Sequence, residues 1–280
     1  MIIFQSISCS LASLLLATIF LLSVPYAGEA DETRGVRWQS IPALKDTPEI
    51  LASLPPTAKV QASDEPFGFL STIPVSGGYL TEKWRTVIHR IKSEASVLSN
   101  CAIIEECPTA ARRFLEIVAE GRAHQGLARV GVINRAVNLS IIATSDMKQW
   151  GVTDRWSSPL ETLTTGRGDC EDYAIVKYAA LLDAGIRRED LKLVIVHDLL
   201  RNEDHAVTVA RVGGKWIVLD NRWLALVQDV EVRREIPLFV LDDTGIQMFL
   251  PDAGATSLSK SDSRARLRMG ELKRRVPDAL

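Results

Sequence analysis

The stretch Thr165-Gly166-Arg167-Gly168-Asp169-Cys170-Glu171-Asp172-Tyr173 decides how the rest of the chain is read. Two glycines loosen a loop that ends in Asp169, a good N-cap residue. The run from Cys170 to about Ala184 then reads as a helix closed by Gly185. Ile175, Tyr178, Ala179 and Leu182 recur at helical spacing, which predicts one buried face. A cysteine in the first helical turn lies where unpaired backbone N–H groups and the helix dipole favour a thiolate. Cys170 therefore reads as a nucleophile. A small buried cysteine that only packs fits the same stretch, and residues further along decide between the two.

Upstream, three helices are expected. Thr81 to Leu98 carries Trp84, Ile88, Ile91 and Val97 on one face. Pro108 to about Glu120 follows, and Gly126 to Ile142 places Val130, Ile133, Val137 and Ile141 at helical spacing. Phe67 to Tyr79 combines turn signals with a short apolar stretch, a strand or wall segment. Downstream the pattern changes to strands at Leu191–His197, His205–Val212, Lys215–Asp220 and Pro237–Leu241, with Ile246–Phe249 as an addition. Helices first and an antiparallel sheet afterwards is an α+β order.

The pair Gly213-Gly214 predicts a two-residue hairpin turn. Counting outward, Val212 faces Lys215, Val207 faces Asp220 and His205 faces Arg222. Side chains alternate, so His205 and Asp220 share a face as diagonal neighbours, roughly 7–8 Å apart at the backbone. An imidazole and a carboxylate can bridge that gap. With Cys170 nearby the set reads as nucleophile, base and orienter. Each piece has a plain structural reading. A histidine on a strand is usually structural, and Asp220-Asn221 could simply open a turn. His197-Asp198 is a poorer dyad because neighbouring strand residues point to opposite faces. His89 and His124 fall in helical stretches and read as surface or packing residues.

Four segments together resemble the bacterial transglutaminase-like cysteine peptidases: Ser158-Pro159-Leu160-Glu161-Thr162-Leu163, Gly166 to Ile175, His205-Ala206-Val207 and Leu219-Asp220-Asn221. Glu65-Pro66-Phe67-Gly68 is similar to the opening of that family, and the likeness runs over roughly residues 64 to 245. It implies a papain/transglutaminase-like fold and a triad of Cys170, His205 and Asp220. It also brings in the LapG-type branch, calcium-dependent periplasmic proteases that cleave a large surface adhesin. In that branch the acids flanking the cysteine are implicated in holding calcium, which maps to Asp169 and Glu171. Those acids also suit the helix dipole, but negative charge beside a thiol disfavours the thiolate. A bound Ca²⁺, or His205 holding the proton as imidazolium, would answer that.

With 280 residues, 46% hydrophobic and net charge −2, the chain fits one globular domain with appendages and gives no reason to expect a nucleic-acid partner. Residues 1–30 read as a secretory signal: Leu11 to Val24 is apolar, short for a membrane span, and followed by small residues at Gly28-Glu29-Ala30. The segment before the apolar run lacks Lys and Arg, which is unusual for a signal. Residues 31–63 are polar and proline-punctuated, an extended leader; residues 64–250 form the expected domain; residues 251–280 form a basic tail. A periplasmic or secreted location follows, with no stable membrane span after cleavage. In such a compartment Cys101 and Cys107 are expected to pair, leaving Cys170 as the odd, reactive thiol. The sequence thus predicts an exported cysteine peptidase acting on a protein substrate. Transglutaminase-type acyl transfer to an amine is the alternative reaction, and a non-catalytic peptide-binding module the alternative of another class.

Overall fold

The β-rich half of the chain folds into one sheet, and the helices lie against it. The computed structural model describes residues 64–68, 70–101 and 107–250. The signal, leader and tail read from the sequence lie outside these. In chain order the elements are β1 (Thr72–Val75), α1 (Tyr79–Asn100), α2 (Thr109–Arg122), α3 (Gly126–Ser140), β2 (Ile142–Ala143), α4 (Asp146–Trp150), α5 (Pro159–Thr165), β3 (Arg167–Gly168) and α6 (Cys170–Asp183). Then follow β4 (Leu191–Asp198), β5 (Glu203–Val212), β6 (Lys215–Leu219), β7 (Val227–Gln228), β8 (Glu235–Asp242) and β9 (Gly245–Phe249). Seven strands form a sheet in the order β1-β9-β8-β4-β5-β6-β7. Every pairing in it is antiparallel. The fold class is therefore the expected mixed α+β, with the cysteine-bearing helix laid on an antiparallel sheet.

The Gly213-Gly214 turn takes positive φ at both residues (58° and 78°), which glycine alone adopts without strain. The register is the one counted from sequence: Val212 faces Lys215 and Thr208 faces Leu219 without a bulge. Two strands carry prolines at tolerated places. Pro74 is in β1, at the sheet edge. Pro237 sits where the β4–β8 pairing shifts register, so its missing N–H breaks no regular ladder.

The sequence expected one buried face on α6. Instead every residue from Cys170 to Leu181 is buried. α6 is the central helix: the sheet lies on one side, and α2, α3 and α5 pack around the rest. A helix wrapped on all sides loses the amphipathic contrast that a periodicity argument needs. It ends on a Schellman motif, with Ile186 N–H on Leu181 O (3.0 Å), Gly185 N–H on Leu182 O (3.0 Å) and Gly185 at φ 95°.

The sheet separates two cores. Leu191, Leu193, Ile195, Ala206, Ala210, Ile217 and Leu219 face the helices. Val194, Val196, Val207, Val209 and Val218 face the other way, under Phe67 and Phe249. Cys101 and Cys107 are bridged by a disulfide that joins the end of α1 to the start of α2, as expected. Among the described residues no helix is long and apolar enough to cross a membrane.

Candidate active site

α6 and β5 run in the same direction. Thr208 donates from Oγ1 to Ala174 O (2.7 Å), fixing the strand under the helix. At the far end, Gly185 packs toward Arg129 and Val212 toward Gly126, both at the start of α3. The starts of α6 and β5 therefore lie at one end of the domain, and Cys170 and His205 with them. Cys170, Ala174 and Lys177 share a stripe of α6, and Ala174 and Lys177 both touch the sheet.

His205 is fully buried, and its Nε2 is 2.9 Å from Asp220 Oδ1. Asp220 lies just past the end of β6 and also accepts from Arg222 N–H (2.8 Å). Burial alone would raise its carboxyl. The hydrogen bond and charge of His205 outweigh that and hold it at about 2. Asn138 of α3 donates to Asp220 O (3.0 Å) and Trp223 O (3.1 Å), anchoring the loop.

Two of the three expected partners are thus in direct contact. Alternation gives His205 the face of Val207 and Val209, whereas Ala206 and Thr208 face α6. A second pair stands at the same end: His197 Nδ1 is 2.8 Å from Asp204 Oδ1, and both lie on the helix-facing side by the same alternation. The sequence had set His197 aside because it considered only Asp198 as its partner. Asp198 instead joins Arg201 and Arg222.

Cys170 opens α6, with Asp169 at the N-cap position. Asp169 does not cap with its side chain; its Oδ2 accepts instead from Asp146 N–H (3.4 Å). Cys170 Sγ is 3.2 Å from Glu171 Oε2. The expectation of an odd thiol at Cys170 is not met: its sulfur is disulfide-bonded, and among the described residues no cysteine is free. A bonded sulfur has no proton to donate. The 3.2 Å approach is therefore a close contact and not a donated hydrogen bond, and nucleophilic chemistry requires the reduced form.

Around the cysteine lies a knot of buried acid. Asp146, Asp169 and Glu171 each bring a carboxylate oxygen within 4.8 Å of the others. Burial pushes Asp169 up to about 7, raises Glu171 and Asp172 well above the usual carboxylate range, and raises Asp146. Asp172 is partly satisfied by Ser157 N–H (2.8 Å). Asp169 Oδ1, Glu171 Oε1 and Asp172 Oδ2 are buried with no hydrogen-bond donor. Asp169 and Glu171 thus belong both to the gathered group and to the acids with an unpartnered oxygen, and gathered carboxylate oxygens are the donor set a hard cation takes.

Asp146 was missed from sequence. It sits 24 positions before Cys170 and opens α4, whose five residues are too few for a periodicity to mark it. What brings it in is the short parallel pair β2–β3, where Ala143 aligns with Gly168 and Thr144 N–H meets Gly168 O (2.8 Å). Lys177 was also missed, although a lysine in the apolar run Ala174-Ile175-Val176-Lys177-Tyr178-Ala179-Ala180-Leu181 was a visible signal.

Residues 101–231 match the family model of the bacterial transglutaminase-like cysteine proteinases. Among solved structures, LapG of Legionella pneumophila is 20% identical, covering 65% of this chain and 96% of that one at a TM-score of 0.46. Its calcium-bound form is 19% identical, covering 64% and 98% at a TM-score of 0.47. No curated protein matches the chain significantly.

Proposed function

Through residues 101–231 the chain belongs to the bacterial transglutaminase-like cysteine proteinases, and from that premise we propose that it is an exported peptidase working through Cys170, His205 and Asp220. The observation that carries this reading is the buried His205–Asp220 pair, 2.9 Å apart, at the end of the sheet where the central helix begins with Cys170. The periplasm or the cell exterior is its place, and its substrate is a surface or periplasmic protein, with an adhesin as the class the LapG-type resemblance implies.

In the reduced enzyme, His205 takes the Cys170 proton and the thiolate attacks a peptide carbonyl. The carbonyl oxygen becomes an oxyanion near the unpaired N–H groups at the start of α6. The C–N bond breaks, and the imidazolium gives its proton to the leaving amine. Water, deprotonated by His205, then hydrolyses the thioester and frees Cys170. Asp220, ionised throughout, orients the imidazole. Asp146, Asp169 and Glu171 would hold Ca²⁺, which would supply positive charge beside the thiol. The chain's own part is to gather those carboxylates before any ion arrives.

A second reading has an observation of its own: His197, paired with Asp204 on the helix-facing side, serves as the base. Single variants separate the two. Cys170→Ala should abolish hydrolysis of a protein substrate while the fold persists. His205→Ala should do the same, and His197→Ala should leave most activity. The reverse order of the two histidines would move the base to His197, and full activity in Cys170→Ala would end the peptidase reading.

A further inference from the structure

Lys177 is fully buried inside the central helix, seven residues beyond Cys170 on the same stripe. Its Nζ donates to Leu219 O at 3.2 Å and lies 6.0 Å from the centre of the Tyr173 ring. Burying an ammonium costs several kcal/mol, and a Leu or Met would fill the same space without that cost. Packing alone does not account for a lysine here.

The place its ammonium reaches does. The β5–β6 ladder ends at the Thr208–Leu219 pair, so Asp220 is the first residue that the ladder no longer holds. Its position depends on neighbours: Arg222 N–H on its carboxylate, Asn138 on its carbonyl, and Lys177 on the carbonyl just before it. Of these, Lys177 alone comes from the helix that carries Cys170. We infer that Lys177 is a positioning residue, which ties the Cys170 helix to Asp220 through the Leu219 carbonyl and so sets the carboxylate against His205.

This rests on the peptidase reading above and deepens it. The charges around Asp220 are consistent with it. Arg222 and Lys177 bring positive charge, while Glu235 of β8 and Asp198 of β4 bring negative charge to the same region. Burial pulls Lys177 down to about 7, and Asp220 opposes that shift, so the two groups sense each other.

The test uses the reduced protein and two readouts. The first is the rate of Cys170 alkylation by iodoacetamide between about pH 5 and 9, which needs no substrate. The second is kcat against KM on a cleaved protein. Lys177→Met should lower kcat about tenfold with KM within about twofold, as expected for a displaced orienting group. It should also move the pH profile of alkylation, which a role in packing alone would leave in place. In an Asp220→Asn background Lys177→Met should cost nothing further, because its effect runs through Asp220. If Lys177→Met does not fold, Lys177→Gln takes its place in the same measurements. A folded variant with unchanged kcat and an unchanged alkylation profile overturns the inference, and so does full additivity with Asp220→Asn. His205→Ala is the control: if it leaves Cys170 alkylation unchanged, the assignment of His205 and Asp220 as base and orienter fails first, and a failure of Lys177 alone is thereby told apart.

Discussion

Replacing Asp146 with asparagine should make the calcium-free protein more stable and the calcium-loaded protein less so. The carboxylate oxygens of Asp146, Asp169 and Glu171 lie within 4.8 Å of one another. At that separation a pair of full negative charges repels by about 1 kcal/mol at the dielectric of water and ~3.5 kcal/mol at an effective dielectric near 20. The acids escape part of this by holding protons. Burial and then the Asp146 charge raise Asp169 from 3.8 to about 7. At neutral pH that shift corresponds to about 4 kcal/mol of resistance to ionisation. The Asp146→Asn substitution would remove one charge while keeping an oxygen to accept the Arg155 N–H. The relief should be about 1–2 kcal/mol, a melting point ~2–8 °C higher in EDTA for a domain of this size. Calcium should do the opposite. A ligand at about a hundred times its Kd adds about 2.7 kcal/mol to the wild type, and a site stripped of one of its carboxylates should lose most of that gain. Thermal melting of both proteins, in EDTA and in millimolar Ca²⁺, should therefore give curves that cross. An EDTA melting point for Asp146→Asn below that of the wild type would refute the repulsion argument. A full calcium shift in the variant would remove Asp146 from the site.

Two further substitutions probe the same region. The folded Asp220 carboxyl titrates at about 2 against an ordinary 3.8, so its stabilisation is complete above 3.8 and is lost as pH falls through about 2. Asp220→Asn should cost about 2 kcal/mol in urea unfolding at about pH 7 and little at about pH 2; equal costs at both would contradict the pairing. A Cβ on Gly168 would stand 2.6 Å from Asp172 Cβ and Oδ2. Gly168→Ala should therefore destabilise by about 1–3 kcal/mol and slow Cys170 alkylation by shifting the start of α6; wild-type values for both would show that the loop yields freely.

How legible these features were depended on the range over which each signal acts. The β5–β6 register followed from two glycines because a tight turn fixes every pairing beyond it, and the structure has Val212 opposite Lys215 and His205 bonded to Asp220. The long helices came within two residues at most ends, because α1, α2 and α3 each turn one face to solvent and keep a period. α4 and α5, of five and seven residues, are too short to show one. Asp146 depends on a two-residue parallel pairing across the chain, which no local pattern announces. In sequence His197 reads as a poor dyad with its neighbour Asp198, and its partner stands across the β4–β5 ladder at Asp204. The state of Cys170 had no sequence signal, since pairing in space decides which sulfurs bond.

The acids around Cys170 carry one further consequence. A nucleophilic cysteine is made reactive by positive surroundings, yet this one is flanked by Asp169 and Glu171, with Asp146 and Asp172 behind them. With protons on these groups the site is neutral but offers the thiolate no stabilising charge. With the protons gone, negative charge accumulates against the sulfur and raises the cost of forming a thiolate. Neither state of the cluster by itself helps the chemistry, and Asp169 Oδ1, Glu171 Oε1 and Asp172 Oδ2 have no hydrogen-bond partner. A divalent cation resolves both at once: it satisfies the oxygens and reverses the sign of the field at Sγ. Burying several carboxylates would be a poor solution for stability alone, because apolar side chains would fill the same volume without repulsion. The cluster is, in the proposed reading, a device that would withhold cysteine reactivity until a cation arrives. In the proposed reading the helix start that carries the nucleophile is thereby also the element that senses calcium.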